Sequence, residues 1–131
     1  MAENTDEEPR GELAIRTLAM PADTNPHGDI FGGWLISQMD IAGGITANAR
    51  ARGRVATVAV TGFTFHKPVL VGDVVCCYAD IRKIGRTSIT IGVEAWVLRR
   101  DESSDRIKVT EGVFTFVAID DDGSPRPVPP E

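Results

Sequence analysis

The stretch NPHGDIFGGWLISQMDIAGG, Asn25 to Gly44, is where this sequence concentrates residues able to do chemistry. A polar, glycine-bearing loop runs into a helical-looking segment that is apolar almost all round, yet carries one carboxylate, Asp40. A carboxylate is costly to bury alone, so a buried one must be paired, hydrogen-bonded or protonated. If it lines a cleft, desolvation moves its pKa toward that of a general base. The alternative is a solvated or structurally paired side chain on a partly exposed helix. With 100° per residue, Gly33, Ile36, Ser37, Gly43, Gly44 and Ala47 fall within about 60° of Asp40. Leu35, Gln38, Ala42, Ile45 and Ala49 lie opposite and are predicted to face the core, flanked by Trp34, Met39 and Ile41. Glycine costs a helix roughly 1 kcal/mol relative to alanine. Gly43 and Gly44 therefore imply that a helix, a strand or a ligand approaches closely there.

The other polar residues have ordinary readings beside any chemical one. Asn25 precedes a proline in a turn, where asparagine is common for local reasons. Asp29 fits a cap of the turn or of the helix start. His27 lies in the same loop, as a surface or tunnel-lining residue rather than a catalytic one, and His66 reads as a strand-end residue. Cys76 and Cys77 are the only cysteines. Neighbours on a strand point to opposite faces, so they are expected as buried structural thiols rather than a disulfide. Two cysteines and two histidines without metal spacing predict no metal site. GDIFGG lacks the Gly-Lys-Ser/Thr close of a phosphate-binding loop, so nucleotide hydrolysis is not expected.

The elements that must position these residues follow from pattern. The 131 residues fit one domain, and 42% hydrophobic with 25% charged residues is a globular balance. A net charge of -5 and a pI of about 5.0 argue against nucleic-acid binding. No apolar run approaches the ~20 residues of a membrane span. The N-terminal MAENTDEEPR lacks a secretion-signal pattern, so a cytoplasmic location is expected. Residues 1–10 read as a disordered acidic leader, 11–120 as the domain and 121–131 as an extended proline-rich tail. ELAIRTLAM reads as a first strand and Asp23–Gly33 as loop. A helix from about Gly33 to Arg50 would span ~27 Å. Strands follow in VATVAVTGFTFHKPV, with Gly62 marking a bulge, then in DVVCCYADIRKIG, RTSITIGVEAWVLRR and IKVTEGVFTFVAID. Ile89, Ile91, Val93, Ala95 and Val97 share one strand face. A charged turn, RRDESSDR, joins the last two strands. Short connections between the last four strands predict antiparallel neighbours. The long helix has only the sheet to bury itself against. The expected fold is α+β, a curved antiparallel sheet wrapped around one long central helix.

LAMPADTNPHGDIFGGWLISQMDIAGGITA, Leu18 to Ala47, closely resembles the YciA-type acyl-CoA thioesterases of the hotdog-fold superfamily. The motif is Asn25, Gly28–Gly33 and Met39–Asp40. GRVATVAVTGFTF, PVLVGDVVCCYA, GRTSITIGVEAWV and FTFVAID extend the likeness collinearly over residues 11–120. The resemblance implies hydrolysis of acyl-CoA at sites between paired subunits, with pairs assembled into hexamers as trimers of dimers. It implies Asp40 as the catalytic carboxylate, with Asn25 of the facing subunit as its polar partner. Gly32 and Gly33, with Phe31 beside them, would form the thioester-carbonyl site. The turn from Lys83 to Ser88, including Gly85, Arg86 and Thr87, would contact CoA, with Arg54 a further candidate. An ordinary polar hairpin is the alternative for that turn.

The residue types suit that reaction. Asp40 could activate water as a general base or attack the carbonyl itself. A helix N-terminus offers unpaired N–H groups and partial positive charge, and glycine lets a substrate come close to the backbone. A thiolate leaves readily, so no strong general acid is needed. No cofactor is expected, because CoA belongs to substrate and product. A non-catalytic acyl-CoA sensor on the same fold is the second reading. A hydratase is a third, lacking an evident His–carboxylate pair.

Overall fold

A computed structural model describes residues 8–99 and 105–131. Most of the acidic leader and the middle of the RRDESSDR turn lie outside the described residues. The chain forms β1 (Glu12–Leu18), α1 (Gly32–Ala51), β2 (Val55–Phe65), β3 (Val74–Ile84), β4 (Ser88–Leu98) and β5 (Arg106–Ala118). A short 3-10 turn, Pro21–Asp23, sits between β1 and α1. The expected order of strand, helix and four strands is present. One antiparallel sheet holds the strands in the order β1-β3-β4-β5-β2, so β1 and β2 are its edges.

β3 and β5 each lie beside β4, as the short connections predict, but β2 and β3 are not neighbours. β2 pairs with β5 instead, and residues 66–73 carry the chain across the end of the sheet. The gap is three strand spacings, ~14 Å, which so long a connection spans easily. His66 and Lys67 donate their N–H groups to the Val109 carbonyl on the way. Connection length limits reach without fixing the partner.

The core lies between α1 and the sheet. Ile89, Ile91, Val93, Ala95 and Val97 are fully buried along one face of β4, as their alternation predicts. Opposite them in register stand Phe116, against Ile89, and Phe114, against Ile91. The helix buries Leu35, Met39, Ala42, Gly43, Ala47 and Ala51 against this layer. The expected core face was set a quarter turn off. Ile45 and Ala49 are exposed, while Gly43 and Ala47, placed on the Asp40 side, are buried. Gly43 explains the shift: a Cβ there would come to 3.0 Å from the Phe116 ring and 3.4 Å from Val93. The close approach required by that glycine is made by the sheet.

Ile41 and Ile45 are consequently left 51% and 49% exposed. Val58 and Val60, on edge strand β2, are exposed too. An apolar helix flank and an apolar edge strand are surfaces that soluble chains usually cover. No helix of the described residues is long and apolar enough to cross a membrane.

Candidate active site

Asp40 stands halfway along α1, at the border between the buried face and the exposed flank. Its Oδ1 accepts a 2.7 Å hydrogen bond from the Thr57 hydroxyl of β2. Thr57 sits opposite Phe116, in the row of β2 that faces the helix, beside a register shift between Thr57 and Ala59. Such irregularities bend an edge strand and re-aim its side chains. One hydrogen bond reaches Asp40 among the described residues, and the side chain is half-buried. The carboxylate is thus held at one oxygen, with acceptor capacity left at the other.

Sequence reasoning missed Thr57. Threonine is common in strands for its shape alone. The available signal was its place in a core-facing row otherwise made of apolar residues.

Two turns earlier, α1 begins at Gly32 and Gly33. Phe31 is the N-cap residue, with no side-chain cap, so Asp29 does not fill that role. The ladder starts with the N–H groups of Trp34 and Leu35, both donating to the Phe31 carbonyl. The N–H groups of Gly32 and Gly33 precede it and point away from the helix body. Phe31 and Phe65 are exposed beside them. A Cβ on Gly32 would lie 3.5 Å from Phe65, and one on Gly33 3.7 Å from Phe31. Two glycines between two phenylalanines form an open notch at the helix start.

Asn25 shapes the loop before this notch. Its Oδ1 accepts from the backbone N–H groups of His27, at 2.9 Å, and Asp29, at 3.2 Å. Its own N–H donates to the Asp29 carbonyl. No hydrogen bond among the described residues joins Asn25 to Asp40.

The third group lies beyond the C-terminal end of α1. Gly85 N–H donates to the Ser88 carbonyl and closes the β3–β4 turn. A Cβ at Gly85 would come within 2.5 Å of Ser88 Oγ. Lys83 and Arg86 are exposed, and Thr87 gives its carbonyl to Ala118 N–H. Arg54 reaches toward the Asp120 and Asp121 carbonyls at 3.5 and 3.4 Å. Among the described residues no carboxylate pairs with Arg54, Lys83 or Arg86. These cations remain available to an anion. Arg54 and Thr57 are three residues apart on the strand side, ~10 Å, so this group and Asp40 can serve one extended ligand.

The two cysteines and His66 lie apart from these groups. Burial, followed by the neighbouring Cys76, pushes the Cys77 thiol up to about 12, so it is not a thiolate at neutral pH. Both cysteines are buried and free. His66 pairs with Glu111 at 2.9 Å, a His–carboxylate pair that the sequence did not make evident. No cluster of metal-binding side chains occurs among the described residues. A cavity of about 330 Å³, lined by residues such as His66, Trp96, Lys108 and Glu111, contains none of the candidate residues. Asp40 does not line this cavity.

Residues 27–103 match the thioesterase superfamily. The acyl-CoA thioester hydrolase YciA of Salmonella typhimurium is 60% identical over 126 residues, 95% of each chain. A hexameric thioesterase from Yersinia pestis is 60% identical and superposes with a TM-score of 0.91, covering 94% of this chain and 100% of that one. A hexameric broad specificity acyl-coenzyme A thioesterase, solved as an aspartate-to-alanine mutant, is 54% identical with a TM-score of 0.91, covering 93% and 89%.

Proposed function

Because the chain belongs to the YciA family within the thioesterase superfamily, we propose that it hydrolyses acyl-CoA to free CoA and a carboxylic acid, with Asp40 as the reacting carboxylate. The observation that carries this reading is the half-buried Asp40, held by Thr57 at one oxygen and open at the other. As a general base, Asp40 takes a proton from water while the water oxygen bonds to the thioester carbonyl carbon. As a nucleophile, it bonds to that carbon itself, and water then cleaves the resulting anhydride. In both routes the carbonyl oxygen gains charge, the C–S bond breaks and CoA leaves as the thiolate. N–H groups at the notch formed by Gly32 and Gly33 would hold that charge. Neither route requires a cofactor.

Helix geometry supports reading the site as shared between two chains. Gly33 and Asp40 are seven residues apart on α1, or ~10 Å along the axis. A carbonyl bonded directly to Asp40 would lie far from the Gly33 N–H of the same chain. The Gly33 N–H and Asn25 would therefore come from the facing subunit, which would cover the apolar edge of β2 and the Ile41–Ile45 flank. The relatives described as hexameric favour a trimer of such dimers. Lys83, Arg54 and the turn from Gly85 to Ser88 would take the phosphates of CoA. We place the reaction in the cytoplasm, whose reducing conditions suit two free thiols.

Free-thiol release from short-, medium- and long-chain acyl-CoAs, with wild type and Asp40→Asn in parallel, tests the assignment. Hydrolysis that collapses in the variant is expected. Wild-type binding without turnover would favour an acyl-CoA sensor instead. Light scattering during assay tests the shared site, because an active monomer would refute it.

A further inference from the structure

The C-terminal segment PRPVPP, Pro125 to Pro130, alternates prolines with residues that keep an N–H. Proline fixes φ and has no donor, so the segment is stiff and its donors are few. Arg126 and Val128 carry its only backbone N–H donors, and both bond to the domain. Arg126 N–H donates to the Ala118 carbonyl at 2.9 Å, and Val128 N–H donates to the Arg86 carbonyl at 2.9 Å. The Arg126 guanidinium fixes the start of the segment. Its Nε donates to the Ile119 carbonyl at 3.1 Å, and its Nη2 donates to the Ala51 carbonyl, at the C-terminal end of α1, at 3.0 Å. A Cβ at Gly53 would come within 2.7 Å of Nη2, so that glycine leaves room for the guanidinium. Arg50 closes the far side by donating to the Pro129 carbonyl at 2.6 Å.

We propose that Arg126 is a positioning residue for the CoA-binding turn: it anchors the tail to the end of α1, and the tail backbone at Val128 holds Arg86 in place to meet a CoA phosphate. This deepens the proposed function and rests on its assignment of the Gly85–Ser88 turn to CoA. The turn is otherwise held by its own Gly85–Ser88 hydrogen bond, by Thr87 to Ala118 and by the pairing of Ser88 with Val117 on β5. Arg86 has an exposed side chain whose direction depends on where its backbone is held. A proline-stiffened strap fixes that backbone at little entropic cost, because the tail has few conformations to lose.

The test compares acyl-CoA with the same acyl group on pantetheine, which lacks the nucleotide and its phosphates. The variants are Arg126→Ala, Val128→Pro and Val128→Ala. Val128→Pro removes the one donor to Arg86, while Val128→Ala keeps it and trims only the side chain. For Arg126→Ala and Val128→Pro, KM for acyl-CoA should rise about 10-fold, the scale of one lost charged contact. Their kcat and their KM for acyl-pantetheine should stay within about twofold of wild type, and Val128→Ala should resemble wild type on both substrates. Equal losses on both substrates, or an unchanged KM for acyl-CoA, would overturn the positioning role. Wild-type KM values that do not distinguish the two substrates would instead overturn the CoA assignment of the turn, and the inference with it.

Discussion

Asp40, on the helix, and Glu94, on the opposite face of the sheet, are carboxylates that differ in how fully their own chain satisfies them. Glu94 is 4% exposed on β4. Its Oε1 accepts from Trp96 Nε1 at 3.0 Å and from Arg10 N–H at 3.3 Å. Its Oε2 lies 3.6 Å from Lys108 Nζ. Both oxygens are occupied, as a buried charge requires. Among the described residues Asp40 has one hydrogen-bond partner, Thr57, and it borders the exposed flank of the helix. A carboxylate saturated by its own chain has no lone pair for a substrate or a water. One held at a single oxygen is oriented and keeps acceptor capacity for a water or a substrate.

Isosteric amides break this contrast most directly. Asp40→Asn should lower kcat by about 10²- to 10⁴-fold, the usual worth of a positioned base, with unfolding by denaturant unchanged within about 0.5 kcal/mol. Glu94→Gln should do the reverse. Losing a charged acceptor for two buried donors should cost about 2 kcal/mol of stability and leave kcat within about twofold when assayed folded. If the two variants exchanged effects, the roles drawn from their partners would be wrong.

Strand alternation made the buried row of β4 legible, because a half-buried strand repeats every two residues. The Asp40 stretch was legible through its resemblance to a family. The phase of α1 was not. A helix apolar on nearly all sides has no polar face to fix its rotation, and Ile41 and Ile45 look like core residues until the sheet is seen to pack on Gly43. The β2–β5 pairing was hidden because it joins the second and last strands of the chain. The tail read as extended without a core of its own. Its docking rests on carbonyls of Ala118 and Arg86, which no sequence pattern advertises.

Thr57→Val sharpens the comparison at intermediate scale. It removes the hydroxyl from Asp40 while keeping size and strand preference. The freed carboxylate should lose orientation, lowering kcat about 10-fold, equivalent to one modest hydrogen bond. Thr57→Ser should recover most of the activity, because the donor returns. A Val variant with full kcat would show that the helix alone orients Asp40.

The smallest effect belongs to the partly open end of the Glu94 network. Glu111 pairs with Lys108 at 3.0 Å and with His66 at 2.9 Å. Lys108 first, then His66, hold its carboxyl below the usual carboxylate range. A lowered folded-state pKa means that the unfolded chain binds the proton more tightly. The contribution is therefore complete above the ordinary glutamate pKa near ~4.3 and is lost as pH falls through the lowered value. With more than a third of its side chain exposed, Glu111 is partly screened by solvent, so the gain should be only a few tenths of a kcal/mol. Glu111→Gln should flatten the acid limb of stability below about pH 4.5 and leave thioester hydrolysis at neutral pH unchanged. Activity falling in step with that stability would mean that the two faces of the sheet are coupled, and that the separation between Glu94 and Asp40 is incomplete.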